Sequence, residues 1–249
     1  MQLYDNERID EVNDSLSLIQ KTNGLTFGTD ALLLAGYITG KYKLGCELGG
    51  GSGIISMLLL TRGKVAKIEA YEIQEEYADL IRRNAEYNSL SDRLIAVCSD
   101  VRDIVADEVY NVVFTNPPYM KATSGLNNAL DKKAIARHEI CGDIGDFCRA
   151  AKRKLKFGGS FYAVYRPDRL CDLLYAMRVH SLEPKRVTFV HADTESEASM
   201  VLIEAKRGGK SGMMLTKPLI IYKDTAHTAY GADMEYIMEN GSFPDVYKR

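Results

Sequence analysis

Across its 249 residues the sequence has no Cys-x-x-Cys pair, no closely spaced histidines and almost no net charge. Each absence removes a class of function. Cys46, Cys98, Cys141, Cys148 and Cys171 are odd in number and scattered, which spells out no zinc site and predicts free thiols in a reducing compartment. His138, His180, His191 and His227 lack the spacing of a helix-borne metal pair, so no metal is expected. A formal charge of -2 gives no general attraction to phosphate, and a nucleic-acid partner would have to meet a local basic patch. Long apolar runs are missing too: those at 31–35 and 54–60 fall far short of a bilayer span. The polar start, Met1 to Arg8, does not read as a signal peptide, and the expectation is a soluble cytoplasmic protein, with a monomer favoured. There is no internal repeat or long low-complexity tract. Instead 46% of residues are hydrophobic and 27% charged, ample for one large core.

What is present is a rhythm: from residue 43 onward, short apolar runs alternate with amphipathic ones. Strands are predicted at Leu44–Leu48, Val65–Ile73, Leu94–Ser99, Val109–Thr115 and Ser160–Tyr165, and helices at Ile54–Arg62, Glu75–Tyr87, Asp143–Lys156 and Pro167–Val179. Asp143 and Asp146 in the first turn and the basic residues of 152–156 in the last suit the dipole of the helix they bound; Gly158-Gly159 is expected to close it. Such alternation implies an α/β fold with a doubly wound, Rossmann-like parallel sheet. Arg186–His191 and Ser199–Lys206, joined by a short polar segment, favour an antiparallel pair at one edge. Before the rhythm starts, residues 1–20 read as a hairpin, and Thr29 or Asp30 can cap a helix over Ala31–Ile38. Three regions follow: 1–42 as a lid on the ligand site, 43–207 as the α/β domain, and 208–249 as an edge appendage with a short helix near Met234–Glu239.

Several strand ends carry residues with chemistry. Glu47-Leu48-Gly49-Gly50-Gly51-Ser52-Gly53 lies where the first strand of the domain meets a helix, at the edge where open α/β sheets bind ligands. Its Gly49, Gly51 and Gly53 fail the dinucleotide fingerprint, which would need a glycine at Ile54, and no Gly-Lys-Ser/Thr follows to make a P-loop. An acid ahead of such a loop suits a cofactor with an amino-acid end and an adenosine end, such as S-adenosylmethionine. Glu72, about twenty residues past the glycines and followed by Ile73, can accept both ribose hydroxyls; its neighbour Glu69 is expected to be exposed. Asp100, followed by Val101, can accept from an adenine NH2, a role for which Asp103 competes. Each acid alone also fits a solvated strand end or a helix cap. Phe27 fits either helix packing or a ligand face.

The fourth strand ends in Asn116-Pro117-Pro118-Tyr119. Two prolines cannot donate to a ladder, so the strand must stop there. The Asn116 side-chain oxygen and the Pro117 carbonyl are two acceptors, and the Tyr119 ring is a flat face; together they suit a planar group bearing an NH2. Read alone the tetrapeptide is equally a strand-ending turn, and its place downstream of the glycine loop and two strand-end acids is what turns it to chemistry.

Glu47 to Gly53, Glu72, Asp100 and Asn116 to Tyr119 together resemble the class I S-adenosylmethionine-dependent methyltransferases, and the Asn-Pro-Pro-Tyr resembles the branch that methylates planar amides or amines. Phe27 to Ala35, Ala136-Arg137-His138-Glu139 and Tyr165 to Leu170 are similar to segments of the bacterial valine-tRNA adenine-N6 methyltransferases. The resemblance implies seven strands with the last antiparallel, S-adenosylmethionine as cofactor and tRNA as substrate. It implies cofactor contacts at Phe27, Asp30, Glu47, Gly49, Gly51, Gly53, Glu72, Ile73, Asp100, Val101 and Asn116, and a reacting amine held by Asn116, Pro117, Pro118 and Tyr119. Lys121, Lys132, Lys133, Arg137, His138, Arg166 and Arg169 are candidates for RNA contact, as are Lys185 and Arg186; Arg166 and Arg169 also fit pairing within the helix that follows. Glu47 stands where the wider class more often has Asp. Two other readings remain. One is a glutamine-N5 methyltransferase of a protein substrate, whose family carries a helical domain ahead of the fold, whereas here the glycine loop begins at residue 49. The other is a catalytically silent cofactor- or RNA-binding module, against which the complete set of acids and Asn116 argues.

Overall fold

The computed structural model describes residues 3–22, 27–117 and 142–248. Strand β1 (Glu7–Asn13) pairs antiparallel with β2 (Leu16–Lys21), and α1 (Thr29–Tyr37) follows. The alternating part then runs β3 (Tyr42–Leu48), α2 (Ile54–Thr61), β4 (Val65–Glu72), α3 (Glu75–Tyr87), β5 (Leu94–Cys98) and β6 (Tyr110–Thr115). It continues with α4 (Ile144–Lys154), β7 (Leu155–Tyr165), α5 (Leu170–Val179), β8 (Leu182–His191) and β9 (Ala198–Arg207). Two short strands, β10 (Met214–Leu215) and β11 (Leu219–Ile220), and helix α6 (Ala232–Asn240) complete it.

The main sheet has the order β10-β8-β9-β7-β6-β3-β4-β5, with β11 also on β8. Seven of its described strands are long, and β9, the last of these in chain order, runs antiparallel to both β7 and β8. This is the expected α/β sheet, lengthened beyond β8 by the two-residue parallel strands β10 and β11. Helices α1, α2 and α3 cover one face, where a buried cluster runs from Leu16 and Leu18 of β2 through Leu33, Leu58 and Ile81 to Phe243 and Tyr247. Helices α4 and α5 cover the other, around Phe147, Leu173 and Met177.

Three local expectations change. Helix α4 stops at Lys154, because Leu155 is extended, fully buried and already paired with Tyr110. Gly158 and Gly159 therefore lie inside β7, where Tyr110 and Val112 of β6 face Leu155 and Ser160: the intervening residues form a bulge. A Cβ on Gly159 would fall 2.9 Å from the Lys156 carbonyl oxygen, so the bulge, not a helix end, requires the glycine. Glu69 is half-buried, accepting from the hydroxyls of Tyr110 at 2.5 Å and Tyr71 at 3.2 Å. Finally, Lys185 and Arg186 are buried on β8 and unavailable to RNA. Lys185 donates to the Lys210 carbonyl, and Arg186, 0% exposed, donates to the carbonyls of Tyr37 and Tyr247 at 2.8 Å each.

Two asparagines fasten the N-terminal hairpin. Asn84 of α3 accepts from Ile19 N at 2.7 Å and donates to the Ile19 carbonyl at 3.1 Å, and Asn88 serves Ser17 in the same way at 3.1 and 2.8 Å. Among the described residues no helix is long and apolar enough to cross a membrane.

Candidate active site

Register brings the candidate strand ends together. Leu48 of β3 is paired with Tyr71 of β4 on one side and Thr115 of β6 on the other, and Glu72 is paired with Cys98 of β5. The Thr115 hydroxyl donates to the Leu48 carbonyl at 2.7 Å and ties β6 to β3 at this edge. Gly49, Ile73, Ser99 and Asn116 thus leave the sheet side by side at its carboxyl edge. Because β3 neighbours β6 on one side and β4 on the other, this edge is the topological switch point, where a crevice opens.

The glycine loop is held to β4 from within: Gly49 N and Gly50 N both donate to the Tyr71 carbonyl at 2.9 Å. Gly51 has φ +53, and a Cβ added there would meet nothing within 4 Å, so its outer side is open to a ligand. Gly50 is glycine for a different reason, since a Cβ would land 2.8 Å from Ile81 Cδ1. Gly53, at φ +82, turns the chain into α2.

Three acids at this carboxyl edge stand in three different settings. Glu72 is buried; one carboxylate oxygen accepts from Gly51 N and the other from Gln74 N, each at 3.0 Å. Its position is fixed, and each oxygen keeps a lone pair for an incoming hydroxyl. Glu47 is fully buried and accepts from the Ser56 hydroxyl in the first turn of α2. Burial pushes its carboxyl up to about 8; the hydrogen bonds from Ser56 oppose this and the charge of Glu72 adds to it. Asp100 caps the short turn Val101–Asp103 and is gripped by Arg102, whose backbone N lies at 2.8 Å and guanidinium nitrogens at 2.5–3.0 Å. That grip holds its carboxyl below the usual range. Val101 is buried, Ile73 half-buried and Asp103 exposed.

On the β6 side, Asn116 Nδ2 donates to Asp30 Oδ2 at 2.8 Å. Its Oδ1 is buried and has no hydrogen-bond partner among the described residues. An amide oxygen in that condition is costly unless something donates to it, so the site calls for an N–H or O–H donor. Phe27 is half-buried, packs against the core and donates its backbone N–H to Gln20 Oε1 at 2.8 Å. Pro117 is buried. Pro118, Tyr119, Lys121, Lys132, Lys133, Arg137 and His138 lie outside the described residues. Arg166 pairs with Asp168 at 2.6 Å and Arg169 with Asp172, all of them at least partly exposed.

The fixed Glu72 carboxylate, the open side of Gly51 and the unpartnered Asn116 oxygen form a donor and acceptor set that fits a nucleoside cofactor beside a donor group. Sequence reasoning missed Ser56, Gln74, Arg102 and Asn84, which also donates to the Ser52 carbonyl at 3.0 Å. Only Asn84 leaves a local trace, a polar residue on the apolar face of α3 between Leu80, Ile81 and Ala85. Among the described residues no group of three or more His, Cys, Asp or Glu side chains is placed to hold a metal.

The sequence model of the methyltransferase small domain matches residues 22–175. A tRNA1(Val) (adenine(37)-N6)-methyltransferase of Dyadobacter fermentans is 33% identical over 122 residues, spanning 49% of this chain and 50% of that protein. A protein of the same description from Phocaeicola vulgatus is 28% identical over 182 residues, covering 72% of this chain and 76% of its own. Among solved structures, a predicted O-methyltransferase from Agrobacterium tumefaciens superposes with a TM-score of 0.71 at 22% identity, covering 86% of this chain and 98% of that one. TYW2 of M. jannaschii, solved with AdoMet, gives 0.58 at 13% identity, with 83% and 89% covered. The structural likenesses show the fold, and with a family match over most of the α/β region the chain belongs to the methyltransferase small domain family, a class I methyltransferase that uses S-adenosylmethionine.

Proposed function

We propose that this methyltransferase modifies the exocyclic N6 of an adenine in tRNA. The observation that carries the chemistry is the buried Asn116 oxygen with no described partner, placed at the switch-point edge just ahead of Pro117. The adenine and the tRNA are supported by the names of the relatives and by the motifs shared with that family.

Bound S-adenosylmethionine supplies an electrophilic methyl group. Glu72, already aimed by Gly51 and Gln74, would hold the ribose hydroxyls; Glu47 would face the amino end, Asp100 the adenine end, and Gly49, Gly51 and Gly53 would let the backbone approach. Asn116 Oδ1 and the Pro117 carbonyl accept the two N–H groups of the target amine. In adenine that nitrogen's lone pair is delocalised into the ring, and two fixed acceptors favour the form in which nitrogen becomes tetrahedral and positive. Tyr119 would stack on the extruded base. The methylated ammonium is strongly acidic, so no dedicated base is needed. Arg166 and Arg169 are the described candidates for phosphate contact, and the partly exposed pair of Arg169 with Asp172 can be exchanged at small cost, since such pairs contribute only about 0–1 kcal/mol.

The test is transfer of labelled methyl to tRNA from a strain lacking the protein, with mass spectrometry of the nucleosides. N6-methyladenosine should appear, and Asn116→Ala should lower the rate by roughly a factor of 100 to 1,000 while cofactor affinity holds within about threefold. Methyl found on a protein glutamine in place of tRNA would overturn the adenine reading. Undiminished turnover by Asn116→Ala would overturn the site.

A further inference from the structure

We infer that Asp30 is a positioning residue for methyl transfer: its carboxylate decides which end of the Asn116 amide meets the substrate amine. This rests on the reading of Asn116 given above. The oxygen and nitrogen ends of an amide are nearly the same size, so packing alone does not choose between them. The choice matters, because a flipped Asn116 would point its own N–H at the N–H of the substrate and lose the acceptor that the reaction needs.

Asp30 removes that freedom. An ionised carboxylate only accepts, so the end of Asn116 that faces it must be the NH2 end, and the oxygen is left facing the site. The contact is 2.8 Å, and Asn116 Oδ1 is the atom left buried without a described partner. Asp30 is itself fixed. Its other oxygen accepts from Ala31 N at 2.9 Å, and it lies in the first turn of α1, where the helix dipole favours negative charge. A Cβ on Gly28 would sit 2.8 Å from Asp30 Oδ1, so glycine there leaves room for the carboxylate. Helix α1 is anchored at its far end as well: Lys64 Nζ donates to the carbonyls of Ala35, Gly36 and Ile38 at 2.8, 3.1 and 2.8 Å. The family resemblance places Asp30 at the cofactor; in the structure one of its oxygens meets Asn116 and the other its own helix.

Wild type, Asp30→Ala, Asn116→Ala and the double variant should be compared for methyl transfer to tRNA and, by calorimetry, for S-adenosylmethionine affinity, each normalised to folded protein. Asp30→Ala should lower kcat about 10- to 100-fold through loss of alignment and leave cofactor affinity within about twofold. In the Asn116→Ala background it should cost nothing further, since residues acting through one group are not additive. Asp30→Asn should not rescue, because its NH2 must oppose either Ala31 N–H or the Asn116 NH2. A loss of cofactor affinity with kcat unchanged, or a full additional loss in the double variant, would overturn the inference. Should wild type methylate a glutamine peptide and not tRNA, the same cycle on that peptide tests Asp30 independently of the substrate reading. A readout free of any substrate is the isotope-labelled side-chain amide resonance of Asn116, which should move on Asp30→Ala; an unmoved resonance would also overturn it.

Discussion

Glu47 should make stability depend on pH in the direction opposite to an ordinary paired carboxylate. Unfolded, it titrates near 4.5; folded and buried against Ser56, it titrates near 8. Between those values the folded chain holds a proton that the unfolded chain has released. The associated stability is therefore complete below pH 4.5 and is lost as pH rises through 8. From about pH 5 to about pH 7 the loss amounts to roughly 2–3 kcal/mol, taking about 1.4 kcal/mol per pH unit and allowing for partial ionisation at the lower end. The perturbation is Glu47→Gln, which keeps an acceptor for Ser56 and has no proton to exchange. Urea denaturation of cofactor-free wild type and variant across this range isolates the effect, because the other titrating groups cancel in the difference. Wild type should weaken relative to the variant by that amount. A difference that stays flat with pH would show instead that Glu47 is already ionised in the folded chain. A second consequence concerns the ligand: with Glu47 facing the cationic amino end of the cofactor, as proposed above, binding should draw the carboxyl back to its charged form. Binding near neutral pH should then release close to one proton, read by calorimetry in buffers of different ionisation heat.

Glu72→Gln should weaken S-adenosylmethionine binding by about tenfold or more, because the amide NH2 must oppose Gly51 N–H or Gln74 N–H and one acceptor is lost. Isothermal titration would measure it, and an unchanged Kd would remove Glu72 from the cofactor site. Arg186→Met should cost about 3–5 kcal/mol, because Glu204 and two buried carbonyls lose their cationic partner. A fall of roughly 10 °C in Tm is expected, with specific activity of the folded fraction preserved; wild-type Tm would mean that the buried charge adds no net stability.

What could be seen in the sequence was local, and what could not was distant. Gly51 and Gly53 declare a turn by themselves, and Pro117 ends a strand because it has no N–H to offer. The acids at 47, 72 and 100 were visible because strand ends are. Their states were not. Whether Glu47 is charged depends on Ser56 and on the helix layer above it, and whether Asp100 is available depends on Arg102, a residue that looks like any surface arginine. Gly158-Gly159 shows the limit of local signal: the same pair suits a helix stop and a strand bulge, and only the pairing of Leu155 with Tyr110 selects the bulge. Arg186 departs from its sequence expectation for a related reason. On a chain read one residue at a time it is a cation near a strand, whereas its partners lie 149 and 61 residues away at Tyr37 and Tyr247.

Those distant contacts change the meaning of the regions outside the α/β repeat. Phe243 and Tyr247 are fully buried, and Phe243 lies edge-on to Tyr37 at 5.3 Å. Tyr37 is the last residue of α1, and Arg186 stacks over its ring at 3.8 Å while holding its carbonyl. Asp30 opens the same helix, so the C-terminal segment braces one end of the element whose other end aims Asn116. On the other flank β2 is pinned to α3 by Asn84, which also holds the Ser52 carbonyl of the glycine loop. The glycine loop and the Asn116 amide are thus each held by a side chain from outside their own strand, Asn84 for the one and Asp30 for the other. An isolated α/β repeat would keep the glycines and the strand-end acids but would lack the helix that orients the acceptor, and so would be expected to bind cofactor better than it transfers a methyl group.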